Sequence, residues 1–149
     1  MITWICSKFD ELSIHQLFDL LKLRVDVFVV EQTCPYPELD EKDRHQETRH
    51  LMGFVDGKLI ACARLLAPGV SYPSASIGRI ATHSAHRNKG AGKLLVDKAI
   101  NECDVLWPDA SIEIGAQEYL LEFYKSFGFV PTSVMYLEDD IPHVDMKRE

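Results

Sequence analysis

An α/β domain (mixed α+β) around one mixed sheet flanked by helices is the fold class this sequence predicts, on three observations. Short apolar runs of strand character alternate with stretches whose apolar residues recur at helical spacing. Asp56-Gly57 separates two such runs, the signature of a tight antiparallel hairpin. A strand-like run at 76–83 passes through a basic, glycine-rich turn into a helical pattern.

In chain order, Thr3 to Lys8 alternates as a first strand. Ser13-x-x-Gln16 forms a capping box, with Ile14, Leu17, Phe18 and Leu21 following at helical spacing to about Arg24 or Val25. Val25 to Val30 is β-branched and fits either a helix end or an extended piece. The acidic stretch to Thr48, with Pro35 and Pro37, is a long loop, and such loops in compact domains are more often functional than idle. His50 to Val55 and Lys58 to Leu66 form the hairpin around Asp56-Gly57, and Pro68 to Pro73 is a loop. After the strand at Ser76 to His83, a helix runs from about Gly90 to Cys103. Its apolar face holds Ala91, Leu95, Ala99 and Cys103, with Leu94 beside them. Ser111 to Gln117 is a strand, and Tyr119 to Phe127 a helix with Leu120, Phe123, Tyr124 and Phe127 on one face. Gly128 stands at its C′ position, suited to a left-handed cap. Two final strands, Thr132 to Leu137 and His143 to Lys147, flank Glu138 to Pro142 and are candidates for homodimer contacts.

Length and composition set the class. A chain of 149 residues with 46% apolar and 26% charged residues is expected to form one globular domain over 1–149. The N-terminus lacks the basic start and apolar stretch of a signal peptide, and no apolar run approaches the roughly 20 residues that span a bilayer. Cys6, Cys34, Cys62 and Cys103 are scattered without CxxC spacing, which predicts reduced thiols in a cytoplasmic protein, and the lack of a membrane-length apolar run predicts no membrane association. His45 and His50 are five apart and fall on different helical faces, so no zinc or other metal site is expected. A net charge of −7 argues against nucleic-acid binding. Charge is uneven, however. Residues 31–47 carry six acids against Lys42 and Arg44, while 76–98 carry Arg79, Arg87, Lys89, Lys93 and Lys98 against Asp97 alone. The basic region suits a local anionic ligand, and the acidic segment a cationic one such as a polyamine, aminoglycoside or Lys-bearing peptide.

The start of a helix leaves backbone N–H groups without partners and carries partial positive charge, and glycines let an anion approach them. The junction at Arg87-Asn-Lys-Gly-Ala-Gly92 is therefore a candidate phosphate cradle. It lacks GxxxxGK[ST], so it is not a Walker A loop. Leu95 replaces the third glycine of the dinucleotide fingerprint, and no kinase catalytic loop follows.

Arg87-x-x-Gly90-x-Gly92 resembles the [RQ]-x-x-G-x-[GA] pyrophosphate motif of the GNAT superfamily of acyl-CoA-dependent N-acetyltransferases. Tyr124-Lys-Ser-Phe-Gly128-Phe129, one strand and one helix downstream, resembles that family's Y-x-x-x-G-[FY] segment. The 24–32 segment, Cys34-Pro-Tyr36, Gly115-Ala-Gln117 and Ile141-Pro-His143 are similar to the ElaA-type subgroup. The resemblance implies the acyl-CoA N-acyltransferase fold, an acetyl-CoA donor and an amine acceptor, either a small molecule or a peptide. It assigns Asn88, Lys89, Gly90, Ala91, Gly92 and Lys93 to the pyrophosphate through their amides, with Arg87 adding charge. It assigns the backbone of Ile80, Ala81 and Thr82, and the side chain of Gln117, to the pantetheine arm. Tyr124 is implied as the general acid that protonates the departing thiolate, which sets it apart from an ordinary core-edge tyrosine. The amine must arrive neutral. Glu31 and His143 rank first as its base, and Asp40 and His50 as acceptor-side residues, although water chains often do this work in the family. Arg24-x-x-Val-Phe also resembles acyl-homoserine-lactone synthases, which share the fold. A non-catalytic CoA-binding or interaction domain is a third reading.

Overall fold

The computed structural model describes residues 1–149. Its strands are β1 (Thr3–Ser7), β2 (Arg49–Val55), β3 (Lys58–Leu66), β4 (Ala75–Thr82), β5 (Ile112–Gln117), β6 (Val130–Pro131), β7 (Tyr136–Glu138) and β8 (Ile141–Arg148). The α-helices are α1 (Ile14–Arg24), α2 (Ala91–Leu106) and α3 (Leu121–Lys125). One mixed sheet runs β1-β2-β3-β4-β5-β8-β6, and β7 pairs with β8 beyond β6. Every pairing is antiparallel except β4 with β5. No helix is long and apolar enough to cross a membrane.

The local signals that predict these elements are physically present. Ser13 Oγ accepts from the Gln16 amide at 3.0 Å while Gln16 returns a bond to the Ser13 amide, so α1 opens on a capping box. Asp56 and Gly57 have φ of 50° and 78°, the two left-handed residues that a type I′ hairpin requires. Asp139 and Asp140, at 52° and 62°, make a second such turn between β7 and β8, where the sequence pattern predicts only a longer separator. The ambiguous Val25–Glu31 segment continues α1 as a π-helix, which widens the helix before the acidic loop.

The main core lies between the sheet and α2 with α3: Leu95, Val96, Ala99 and Ile100 of α2 meet Ile77, Ile112, Ile114 and Met146. Leu94, expected beside that face, is exposed instead. A smaller cluster on the opposite face seats α1 through Leu20, Leu23 and Val27 on Met52, Cys62 and Ala81. Here the expected stripe is rotated, because Ile14 and Phe18 face solvent and Arg24 turns inward.

Arg24 is the reason. It is 1% exposed and binds Glu38 Oε2 at 2.8 Å and Asp43 Oδ1 at 2.8 Å, while Arg64 from β3 binds Asp40 at 2.8 Å and Asp43 at 3.1 Å. A buried guanidinium needs such partners, since an unpaired buried charge costs several kcal/mol. Glu38, Asp40 and Asp43 therefore fold the acidic loop onto the sheet. Three of the six acids read as a cationic-ligand surface are neutralised in this network, and Glu31 and Glu41 are paired with Arg87 and Arg44.

Candidate active site: the cleft where β4 and β5 part

β4 and β5 pair at only two positions, Ala75 with Ile112 and Ser76 with Glu113, and then separate. Against β3, the register slips between Cys62 and Arg64, where β4 carries one extra residue. Arg79 sits in that bulge with φ of 48°. From Ile77 to Thr82, one edge of β4 thus has no strand beside it. The gap opens into a cleft of about 520 Å³ lined by Ile80, Gln117, Tyr124, Tyr72, Asp40 and His143 among others.

At one end of the gap, α2 begins on Gly90, whose φ of 81° is left-handed, as is that of Asn88 at 63°. No side chain caps this helix, and its first helical bond is Leu94 N to Gly90 O. A Cβ built at either Gly90 or Gly92 meets nothing within 4 Å, so no side chain crowds these two positions. The alternating backbone and the helix dipole together favour an anion there. A diphosphate fits this donor set.

Arg87 is anchored beside it, donating to Thr82 O through Nε at 3.2 Å and Nη2 at 3.0 Å. Its Nη1 meets Glu31 Oε2 at 2.6 Å. Glu31, expected as a base, pairs with Arg87 and does not line the cleft. The π-helix carries it to the donor end. Of the three β4 residues assigned to backbone contacts, Thr82 has its carbonyl engaged by Arg87, Ala81 is buried under α1, and Ile80 lines the cleft.

Tyr124 reaches the cleft from α3. It is 6% exposed and packs edge-to-face on Phe123 at 5.2 Å and Phe129 at 6.1 Å. Burial pushes its phenol up to about 12, helped by nearby Tyr119. The hydroxyl thus keeps its proton at neutral pH. Gln117 ends β5 at the cleft and donates to Gln32 Oε1 at 3.3 Å.

On the far wall His143 pairs across from Gln117, stacks on Tyr136 at 5.9 Å, and sets Nε2 3.5 Å from Glu138. Its Nδ1 is 2.7 Å from Ile141 O, which makes Nδ1 the protonated nitrogen and leaves Nε2 able to accept. Asp40 lines the cleft, yet its Oδ1 is held by Arg64 and by the Lys42 amide. His50 is not in the cleft. It is 1% exposed under the acidic loop, with Nε2 2.9 Å from Asp43 O, and burial lowers its basicity. A histidine in a strand pattern points either way, and the network around Asp43 claims this one.

Sequence reasoning missed Arg79, Tyr72, Tyr136 and Asp145. Arg79 stacks over Phe28 at 5.3 Å and lies 3.4 Å from Glu38, a charge contact too poorly aligned to be a hydrogen bond. Asp145 takes two phenol hydroxyls, described below. Only the alternation of β8 carried any signal for it.

Residues 19–149 match the profile of the acetyltransferase (GNAT) domain family. Protein ElaA of Escherichia coli K12 is 42% identical over 149 residues, covering 100% of this chain and 97% of that protein. The crystal structure of E. coli ElaA superposes with a TM-score of 0.94, covering all of both chains. An acyl-CoA N-acyltransferase from Pseudomonas aeruginosa does so with a TM-score of 0.96 at 42% identity, again over all of both. An aminoglycoside 6'-N-acetyltransferase solved with coenzyme A shares the fold at 15% identity, with a TM-score of 0.70 over 97% of this chain and 96% of that one. Family profile, fold and cleft agree: the chain belongs to the GNAT acetyltransferase family and is similar to its ElaA branch, an acyl-CoA-dependent acyltransferase by class.

Proposed function

We propose that the protein transfers an acetyl group from acetyl-CoA to a primary amine by direct attack. The observation that carries this reading is the unpaired edge of β4, with Tyr124 in the cleft beside it and an uncapped, glycine-built helix start following it in the chain.

The amides of Asn88 to Lys93 and the Arg87 guanidinium hold the diphosphate, displacing Glu31. The free edge of β4 at Ile80 to Thr82 and the Gln117 amide hold the pantetheine arm, in place of the missing neighbouring strand. A β4 backbone N–H polarises the thioester carbonyl. The amine nitrogen bonds to the carbonyl carbon, the C–S bond breaks, and the sulfur leaves with the electron pair. Tyr124 gives that sulfur its proton. The proton shed by the amine goes to His143 Nε2 directly or through water.

Burial holds the Tyr124 phenol up at about 12, so it meets the departing thiolate as a proton donor.

The test is release of free thiol from acetyl-CoA across a panel of amines. Amine-dependent release that Tyr124→Phe abolishes supports the reading. Its absence with every amine, together with no rise in melting temperature at millimolar CoA, removes it.

A further inference from the structure

Beside the cleft, over Gly115 and Tyr72 of its lining, lies a constellation that donor binding and acyl transfer do not use. Asp145 Oδ1 accepts from Tyr136 Oη at 2.6 Å and from Tyr72 Oη at 3.1 Å. The three groups come from β8, β7 and the loop before β4, and they converge over Gly115 of β5. A Cβ there would lie 3.0 Å from the Tyr136 hydroxyl, 3.4 Å from that of Tyr72 and 3.8 Å from Asp145 Oδ1. Only glycine leaves that position clear.

Asp145 carries no counter-charge. None of the protein's ion pairs involves it or the neighbouring Asp139, whereas Asp40, Glu38 and Asp43 are all paired with arginine. Glu138, on the same wall, is met only by His143. The cations of the cleft, Arg64, Arg79 and Lys42, line it together with Asp40 and Phe28, and both arginines are engaged by the acidic loop. Carboxylates without a cation therefore gather around β7 and β8. A half-buried carboxylate flanked by aromatic rings is a receptor for an alkylammonium, through charge-assisted hydrogen bonds and ring contacts.

The role of that ammonium follows from the hydrogen bonds. Two O–H donors already occupy Oδ1, which leaves Oδ2 to receive the N–H groups of an ammonium. The cation it binds stays protonated. The attacking amine must be neutral, so the bound cation is a different group of the same molecule.

Building on the proposed transfer reaction, we propose that Asp145, Tyr72 and Tyr136 bind a second, non-reacting ammonium group of the acceptor, which makes the natural acceptor a diamine or polyamine. The geometry assigns recognition to this trio and not to the acidic loop.

Two measurements test this. The first is calorimetric binding of 1,4-diaminobutane to CoA-saturated protein, with 1-butylamine as the comparison. Wild type binds the diamine at least roughly tenfold more tightly, the worth of one charge-assisted bond. Asp145→Asn, which keeps an oxygen to accept both phenols, removes that difference, and Gly115→Ala reduces it by crowding the hydroxyls. The second is kcat/KM for both amines by thiol release, where the diamine-to-monoamine ratio collapses in Asp145→Asn. Equal binding of the two amines to wild type, or a ratio unchanged in Asp145→Asn, overturns the site. Diamine binding lost in Asp145→Asn without any thiol release leaves the site standing and removes the transfer reaction instead.

Discussion

The Phe129 amide donates to the Tyr124 carbonyl at 3.4 Å while the two rings meet edge to face at 6.1 Å. Between them the Gly128 amide donates to Lys125 O at 3.0 Å, with Gly128 at φ of 94°. These bonds form a Schellman motif with Tyr124 at C3, Gly128 at C′ and Phe129 at C″, including its hydrophobic contact. The spacing Tyr-x-x-x-Gly-Phe is thus a helix stop that fixes one ring. It aims the Tyr124 hydroxyl at the cleft.

Gly128→Ala tests that fixing. There is room for a methyl, since the nearest atoms belong to Arg148 at 3.7 Å, but the left-handed backbone penalises any Cβ. The cost is about 1–2 kcal/mol, a fall in Tm of roughly 3–6 °C by calorimetry. Under the proposed mechanism kcat falls by up to roughly 10²-fold, because a small displacement of the acid is amplified in rate.

Tyr124→Phe keeps the ring packing and removes the proton. Thiol release should fall roughly 10²–10⁴-fold in kcat, with KM for acetyl-CoA little changed. Retention of full activity assigns the proton to another donor.

Glu31→Gln frees Arg87 for the diphosphate. Both members of the pair are about a third exposed, at 37%. A pair that exposed is worth about 0.2–1 kcal/mol, so CoA binding by calorimetry should tighten roughly two- to fivefold. The gain shrinks at high salt. Arg87→Glu moves the affinity the other way.

How much of this was legible depends on the distance between partners. Ser13 with Gln16, Asp56 with Gly57, and Tyr124 with Gly128 each lie within four residues, so their chemistry shows in the string. Arg24 finds its partners 14 and 19 residues away, and Tyr72 reaches Asp145 across 73. No periodicity records such pairs, so the sequence does not show that Glu31 pairs with Arg87 outside the cleft or that His50 is held under the acidic loop.

Stability should fall in two stages on acidification. Burial lowers the His50 value, so its contribution is present above the ordinary value of 6.5 and is lost as pH drops below it. Burial alone would raise Asp43, but the hydrogen bond and charge of Arg24 outweigh it and hold the group at about 2. That contribution, about 2 kcal/mol, is intact above the usual carboxylate range and is lost as pH falls from about 4 towards 2. Urea midpoints at pH 7.5, 5 and 3 should decline in turn, and His50→Asn should flatten the first step alone.

The two residue pairs that join β4 to β5 divide eight strands into two half-sheets, β1 to β4 and β5 with β6 to β8. Ala75 and Ser76 act as the rivet of a pair of tongs whose jaws open around the cleft. Under the proposed reaction, a donor lying along β4 would stand in for the absent strand and lock the jaws. Amide exchange along 77–82 and 114–117 should therefore slow together when CoA is added, as one mechanical unit.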